Sequence, residues 1–133
     1  MRDINLALTV SIKATQTSGQ TLVKSYSEGQ FRIGEELYLG TVLLFRDSVF
    51  ELSVERLEDL NENLLSGVLD ACPKVDVFLI GWGRYQGQLN VRLNKALQEA
   101  AIGVDVMNCG AACRTYNVLV LEGRQVAAAL FPL

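Results

Sequence analysis

Val75-Asp76-Val77-Phe78-Leu79-Ile80-Gly81-Trp82-Gly83 is the stretch whose reading decides the fold. From Val75 to Ile80 a single acid interrupts β-branched, aromatic and aliphatic side chains. A run so poor in alternation suits a strand covered on both faces, and Gly81 is expected to close it. Upstream, Leu60, Leu64, Leu65, Val68 and Leu69 recur at helical spacing, with Asp59 or Asn61 as N-cap. Pro73 should end that helix, because proline cannot continue the hydrogen-bond ladder. Downstream, Leu89, Leu93, Ala96, Leu97 and Ala100 form the apolar stripe of a second helix, with Gly103 expected in the C′ position. Val104-Asp105-Val106-Met107 is the next strand, parallel to the first across the helical crossover.

Toward the N-terminus the pattern changes to short strands and turns. Leu6 to Val10 and Thr21-Leu22-Val23 are β-leaning, separated by the polar run Thr15 to Gln20. Gln30 to Ile33 alternates polar and apolar before Gly34 turns the chain. Thr41 to Phe45 is a continuous apolar run, and Arg46-Asp47-Ser48 is a tight turn into Val49 to Leu52. The reading is an antiparallel meander over residues 4–52, then alternating helix and strand over 59–131. No linker or repeat separates them, so residues 1–133 are expected to form one domain. The last third stays open at this level: Val118 to Val126 reads as a hairpin turning at Glu122-Gly123. It reads equally as a helix from about Ala111 to Glu122, a Gly123 cap and a final strand from Gln125 to Phe131.

The chain has 133 residues, half of them apolar, and a net charge of −3. That size supports one sizeable core, and the charge excludes a whole-domain basic footprint for nucleic acid. No run of about 18 consecutive apolar residues offers a membrane-spanning helix. The start, Met1-Arg2-Asp3-Ile4-Asn5, lacks the apolar core of an export signal, so the expected location is cytoplasmic. Histidine is absent, which removes Ser-His and Cys-His nucleophile pairs and His metal ligands. Three cysteines, Cys72, Cys109 and Cys113, without C-x-x-C spacing point to reduced thiols rather than a metal site. No cofactor and no metal are expected.

Three groups of residues could carry function. Gly81-Trp82-Gly83-Arg84-Tyr85-Gln86-Gly87 follows a strand and precedes a helix, the setting in which backbone N–H groups cradle an anion. Its G-x-G-x-x-x-G spacing is one residue longer than the dinucleotide fingerprint. The plainer reading is a turn that needs positive φ at one or two glycines. Cys109 would stand at a helix N-terminus, where the dipole raises the thiolate fraction, with Cys113 one turn on; the plainer reading is core packing. Arg114, Tyr116 and Asn117 with Arg124 could bind a carboxylate or phosphate. Alternatively, Asn117 ties down a neighbouring backbone and Arg124 pairs with Glu122 or caps helix carbonyls.

Taken together, Asp76 to Gly83, Gly103 to Met107, Ala111-Ala112-Cys113-Arg114-Thr115-Tyr116-Asn117-Val118-Leu119 and Glu122 to Leu130 closely resemble the Mth-domain family. This family of small proteins of unknown activity includes a mitochondrial respiratory complex I assembly factor. The resemblance implies an α/β fold: a compact three-layer Mth-like arrangement with a mixed central sheet, the N-terminal meander and about three helices. It makes the Ala111 to Glu122 stretch a helix followed by the last strand. The family offers no catalytic residues to carry over. It implies a non-enzymatic assembly or interaction factor for a membrane-associated, respiratory-type complex, with protein partners and a weak homodimer among the expected associations. Two positions depart from the family pattern. Trp82 replaces a small hydroxyl residue between the glycines, and Asn108 replaces a Thr or Ser before the helix, though Asn can still cap it. The expected ligand or partner face comprises Gly81, Trp82, Gly83, Tyr85, Gly87, Asn108, Arg114, Tyr116, Asn117 and Arg124, with Cys109 as a reactive thiol. The alternative function is a small-anion or nucleotide-like ligand-binding or enzymatic α/β domain that uses the Gly81–Gly87 loop.

Overall fold

The computed structural model describes residues 14–16 and 21–133. Among these described residues, nine strands and three α-helices follow one another. They are β1 (Ala14–Gln16), β2 (Val23–Ser27), β3 (Gln30–Ile33), β4 (Glu36–Leu39), β5 (Thr41–Phe45), β6 (Ser48–Leu52), α1 (Ser66–Leu69), β7 (Val77–Trp82), α2 (Val91–Glu99), β8 (Gly103–Asn108), α3 (Cys109–Leu121) and β9 (Val126–Leu130). The central sheet has the order β1-β6-β5-β9-β7-β8, and β2-β3-β4 form a separate antiparallel sheet. β7 runs parallel to both β8 and β9, whereas β9 meets β5 antiparallel, so the sheet is mixed.

Alternation along the central strands divides the core in two. Leu43, Phe78, Ile80, Ala127 and Ala129 face the leucine-rich segment before β7 and the buried side of α2. Val42, Leu44, Leu79, Ala128 and Leu130 face α3 and the inner residues Val23, Phe31, Ile33 and Tyr38 of the small sheet. Three layers result, because a sheet apolar on both faces must be covered on both. The alanines of β9 (Ala127, Ala128 and Ala129) are all fully buried; their small side chains let both outer layers approach the sheet.

Several expectations need correction. Leu60, Leu64, Leu65 and Val68 are buried together as their spacing required, but the backbone is not one helix. It makes a 3-10 turn at Leu57–Asp59 and the single turn α1. Asn61, Ser66 and Gly67 explain this: Asn and Ser side chains compete for the backbone, and Gly weakens a helix. Asn61 Oδ1 accepts the Leu64 N–H at 3.0 Å, capping a turn instead of a long helix. The segment leaves helix at Asp70, before Pro73 acts. Gly81 lies within β7, not at its end, and Gly103 opens β8 instead of terminating α2. The C′ residue of α2 is Ala101, at φ 60°. The polar run after Ala14 begins as a strand, since Ala14–Gln16 pair with Ser48 to Phe50 of β6. The strand expected over Leu6 to Val10 and the reading of Met1 to Asn5 lie outside the described residues.

The open choice in the last third resolves as helix, cap and strand. α3 ends in Gly123 at φ 82°, with the Gly123 N–H donating to Val120 O at 2.9 Å and the Arg124 N–H to Leu119 O at 3.0 Å. That is a Schellman closure, which needs a left-handed residue and takes glycine without a Cβ penalty.

Candidate functional site

β7 and β8 end side by side, with Trp82 in register with Asn108, and α3 begins at the next residue. Asn108 is its N-cap: Oδ1 accepts the Ala111 N–H at 2.9 Å. The glycine loop therefore meets the first turn of α3. A Cβ on Gly81 would stand 2.7 Å from the Ala112 Cβ and 3.1 Å from the Cys109 Cα.

The glycines of the loop serve close packing. Neither Gly81, Gly83 nor Gly87 has positive φ, which corrects the turn reading. Gly83 lies against the carbonyl groups of Phe131 and Pro132, and Gly87 against the Glu58 carboxylate. Gly81 O accepts the Phe131 N–H at 2.9 Å, and the Arg84 N–H donates to Pro132 O at 3.0 Å. α2 starts only at Val91, and its first amides, of Arg92 and Leu93, already donate to Asn90 Oδ1. The strand, glycine turn and helix N-terminus are thus not contiguous, so the dipole end of α2 lies beyond the loop.

Around this loop a rim is built from segments far apart in sequence. The Arg56 guanidinium lies 4.1 Å from the Tyr85 ring centroid, and Arg84 stands on the same ring at 5.9 Å. Arg56 also makes a 3.9 Å ion pair with Glu58. From Arg84 the contacts run through Pro132 to Leu133, whose carbonyl accepts the Gly29 N–H at 3.0 Å. Gly29 lies in the β2–β3 turn, and Tyr26 of β2 accepts a hydrogen bond from Arg114 Nη1 at 3.3 Å above Gly110. Tyr26 and Tyr85 are 36% and 37% exposed. Trp82 is half-buried against the core. Tyr26 and Arg56 were not singled out by the sequence: Tyr26 sits in a polar strand and Arg56 in no motif, so only folding brings Tyr26 to Arg114 and Arg56 to Tyr85.

The helix residues part company. Arg114 is exposed on the rim. Tyr116 is fully buried: its hydroxyl donates to Phe45 O at 2.9 Å and lies 2.8 Å from Thr21 Oγ1, itself 2.5 Å from Phe45 O. Burial pushes the Tyr116 hydroxyl up to about 12, against the Thr21 hydrogen bond and the positive charge of Arg46. Asn117 bonds both backbone groups of Val23, its Oδ1 accepting the N–H and its Nδ2 donating to the C=O, each at 2.9 Å. Tyr116 and Asn117 thus hold the small sheet and the β5–β6 hairpin on α3, and their polar atoms do not face the rim. Arg124 is exposed, at the other end of α3; its backbone N–H, not its guanidinium, caps the helix.

Cys109 is the first residue of α3, where the dipole favours a thiolate. A hydrogen bond from Cys113 holds its thiol below the ordinary value and pushes Cys113 up. Yet Cys109 is fully buried and Cys113 nearly so; the low-pKa geometry exists where no reagent reaches it, so packing is what these side chains do. Cys72 is the exposed thiol. Among the described residues, no three His, Cys, Asp or Glu side chains gather as a metal cage would require, and no helix is long and apolar enough to cross a membrane.

Comparison with known proteins agrees with this architecture. Residues 23–131 match the family model described as a protein of unknown function, DUF498/DUF598. The chain is 35% identical over 126 residues to a Drosophila melanogaster protein named NADH dehydrogenase [ubiquinone] 1 alpha subcomplex assembly factor 3, covering 92% of this chain and 64% of that protein. It therefore spans slightly less than two thirds of that relative. A crystal structure described as an outer membrane protein from Bartonella henselae superposes with a TM-score of 0.77 at 32% identity, covering 86% of this chain and 96% of that one. A Bordetella pertussis protein described as an Mth938-like domain superposes at 0.75 with 24% identity over 92% of each chain, which supports the fold. The sheet order, the α3–β9 closure and these likenesses converge: the chain belongs to the DUF498/DUF598 family and has an Mth938-like α/β fold.

Proposed function

We propose that this protein acts through protein contacts, as a non-enzymatic assembly or interaction factor for a membrane-associated, respiratory-type complex. The rim around Trp82, Tyr85, Asn108 and Arg114 is the surface that meets its partner. The observation that carries this reading is the gathering of exposed Tyr26 and Tyr85 with Arg56, Arg84 and Arg114 at one end of the sheet. Tyrosine and arginine dominate the energetics of protein interfaces, because each offers a broad apolar or planar surface with polar tips. Relatives named as complex I assembly factors support the class of partner. We place the work in the cytoplasm, a reading supported by three unpaired cysteines. Residues 1–133 act as one unit in this proposal, as both core layers share the central sheet.

Affinity capture of the intact protein from its own cells tests the proposal, comparing wild type with the Tyr85→Ala, Arg114→Ala double variant at matched thermal stability. Subunits or assembly intermediates of a membrane complex should co-purify with wild type and be lost with the variant. Recovery of no such partner, or equal recovery by the variant, overturns the reading.

A further inference from the structure

The small sheet ends differently on its two sides. On the β2 side, the side-chain amide of Asn117 takes up both backbone groups of Val23. β4 is the other edge, and among the described residues no strand lies beyond it. The register with β3 shows which backbone groups are left over. Ile33 faces Glu36 across the tight turn Gly34-Glu35, and the Gly40 N–H donates to Gly29 O at 3.1 Å. Hydrogen-bonded and non-bonded pairs alternate along an antiparallel ladder, so Glu36, Tyr38 and Gly40 turn their polar groups toward β3. Leu37 and Leu39 turn theirs outward. No hydrogen bond of the turns and loops among the described residues reaches either one.

The side chains of the same two leucines stand on the outer face, beside Arg32 and Gln30 of β3 and opposite the buried Phe31 and Tyr38. They are 48% and 68% exposed. Native sheets guard such an edge with charge, proline or a bulge. β8, the far edge of the central sheet, has the exposed acid Asp105 in its middle; Leu37-Tyr38-Leu39 has no such guard. We propose that β4 is the contact of a symmetric homodimer, paired antiparallel with β4 of a second copy. The run Glu36-Leu37-Tyr38-Leu39-Gly40 is nearly palindromic about Tyr38. A two-fold axis through that residue sets Leu37 beside the partner's Leu39, and Leu39 beside the partner's Leu37. Every outward N–H then meets a C=O, partial charge against partial charge, and the leucines of both copies cluster between the Arg32 and Gln30 side chains. Glu36 falls opposite the partner's Gly40, so no like charges face each other. The neighbouring register, Leu37 on the partner's Leu37, would set Leu39 against the partner's Glu35 and satisfy fewer groups. The occupant is a second copy because this segment supplies its own complement, as an isologous contact requires. One strand edge with its leucines falls short of the roughly 1,200 Å² at which stable interfaces begin, so the dimer forms and dissociates with concentration.

Sedimentation equilibrium of the intact protein from about 10 μM to about 1 mM, with backbone amide spectra over the same range, tests the proposal. A monomer–dimer equilibrium is expected, with concentration-dependent shifts and exchange protection at the Leu37 and Leu39 amides and none along β8. Leu39→Lys and Leu37→Glu should each weaken self-association by about tenfold or more, because each sets charges among the leucines. Both side chains are exposed, so both variants should fold. Mixed in equal amounts, the two variants should associate more tightly than either alone, since this register faces the introduced lysine with the introduced glutamate. A chain that stays monomeric to about 1 mM overturns the proposal. So does a dimer untouched by Leu39→Lys, or a mixture no tighter than its separate variants. Wild-type amide shifts that fall elsewhere than β4 overturn it even if a variant fails to fold.

Discussion

One side-chain amide, that of Asn117, pairs with both backbone groups of Val23, a residue 94 positions earlier, at 2.9 Å each way. It does for β2 what a neighbouring strand would, and joins the small sheet to α3. Asn117→Ala should cost about 2 kcal/mol, the sum of two such bonds. Hydrogen exchange should show the loss concentrated in β2, β3 and β4. Uniform loosening across the central sheet would refute the joining role.

Tyr116 makes stability fall at high pH. Its hydroxyl ionises near 10 when exposed and at about 12 in the fold, so above pH ~10 the unfolded chain binds fewer protons than the folded one. Stability is retained below the unfolded value and declines as pH rises from about 10 toward 12, by at most about 2–3 kcal/mol from this group. Urea denaturation across that range should show the decline, and Tyr116→Phe should flatten it. The same variant should cost about 1–2 kcal/mol near neutral pH through the lost bond to Phe45.

Ala101 holds a conformation suited to glycine. It closes α2 at φ 60°, with its N–H donating to Gln98 O at 2.9 Å and the Ile102 N–H to Leu97 O at 3.0 Å. Gly123 does the same for α3. A left-handed alanine costs about 1–2 kcal/mol, so Ala101→Gly should stabilise the protein by about 1 kcal/mol net of unfolded-chain entropy. Gly123→Ala should destabilise by a similar amount. Thermal denaturation of the two variants checks the opposite signs.

Gly83 and Gly81 tolerate no methyl group. At Gly83 the added carbon would overlap the carbonyls of Phe131 and Pro132, and at Gly81 the Ala112 Cβ. Both substitutions to alanine should cost about 1–3 kcal/mol, as overpacking does. The Gly83 variant should also free residues 131–133 from the loop, visible as faster exchange of the Arg84 and Gly29 amides that donate to them.

Thiol counting separates reactivity from thiolate character. Native protein should react at one cysteine, Cys72, and release Cys109 and Cys113 to reagent only on unfolding. Rapid labelling of Cys109 in the folded protein would contradict its burial.

Much of this architecture was legible in local chemistry. The buried β7 run, the apolar stripe of α2, the capping role of Asn108 and the turn at Gly123 are each decided within about a dozen residues, where side-chain period and capping act. Resemblance, not periodicity, chose the helix for Ala111 to Glu122, because Val118 and Val120 favour a strand as much as Ala111 and Ala112 favour a helix. The leucines from Leu60 to Leu69 show the converse: their spacing identified a buried face, while Asn61, Ser66 and Gly67 broke the backbone that spacing implied.

The sequence alone determined which segments are apolar on one face or two, and that chemistry through histidine is absent. Tertiary structure decided what each polar side chain does. Arg114 and Tyr116 are two residues apart, yet one helix turns the first outward to Tyr26 and the second inward to Phe45. Gly83 reads as a turn glycine in the chain but is needed for close approach to the backbone of Phe131 and Pro132. Such assignments depend on partners tens of residues away, and local propensity carries no information about which distant backbone will arrive beside a given side chain.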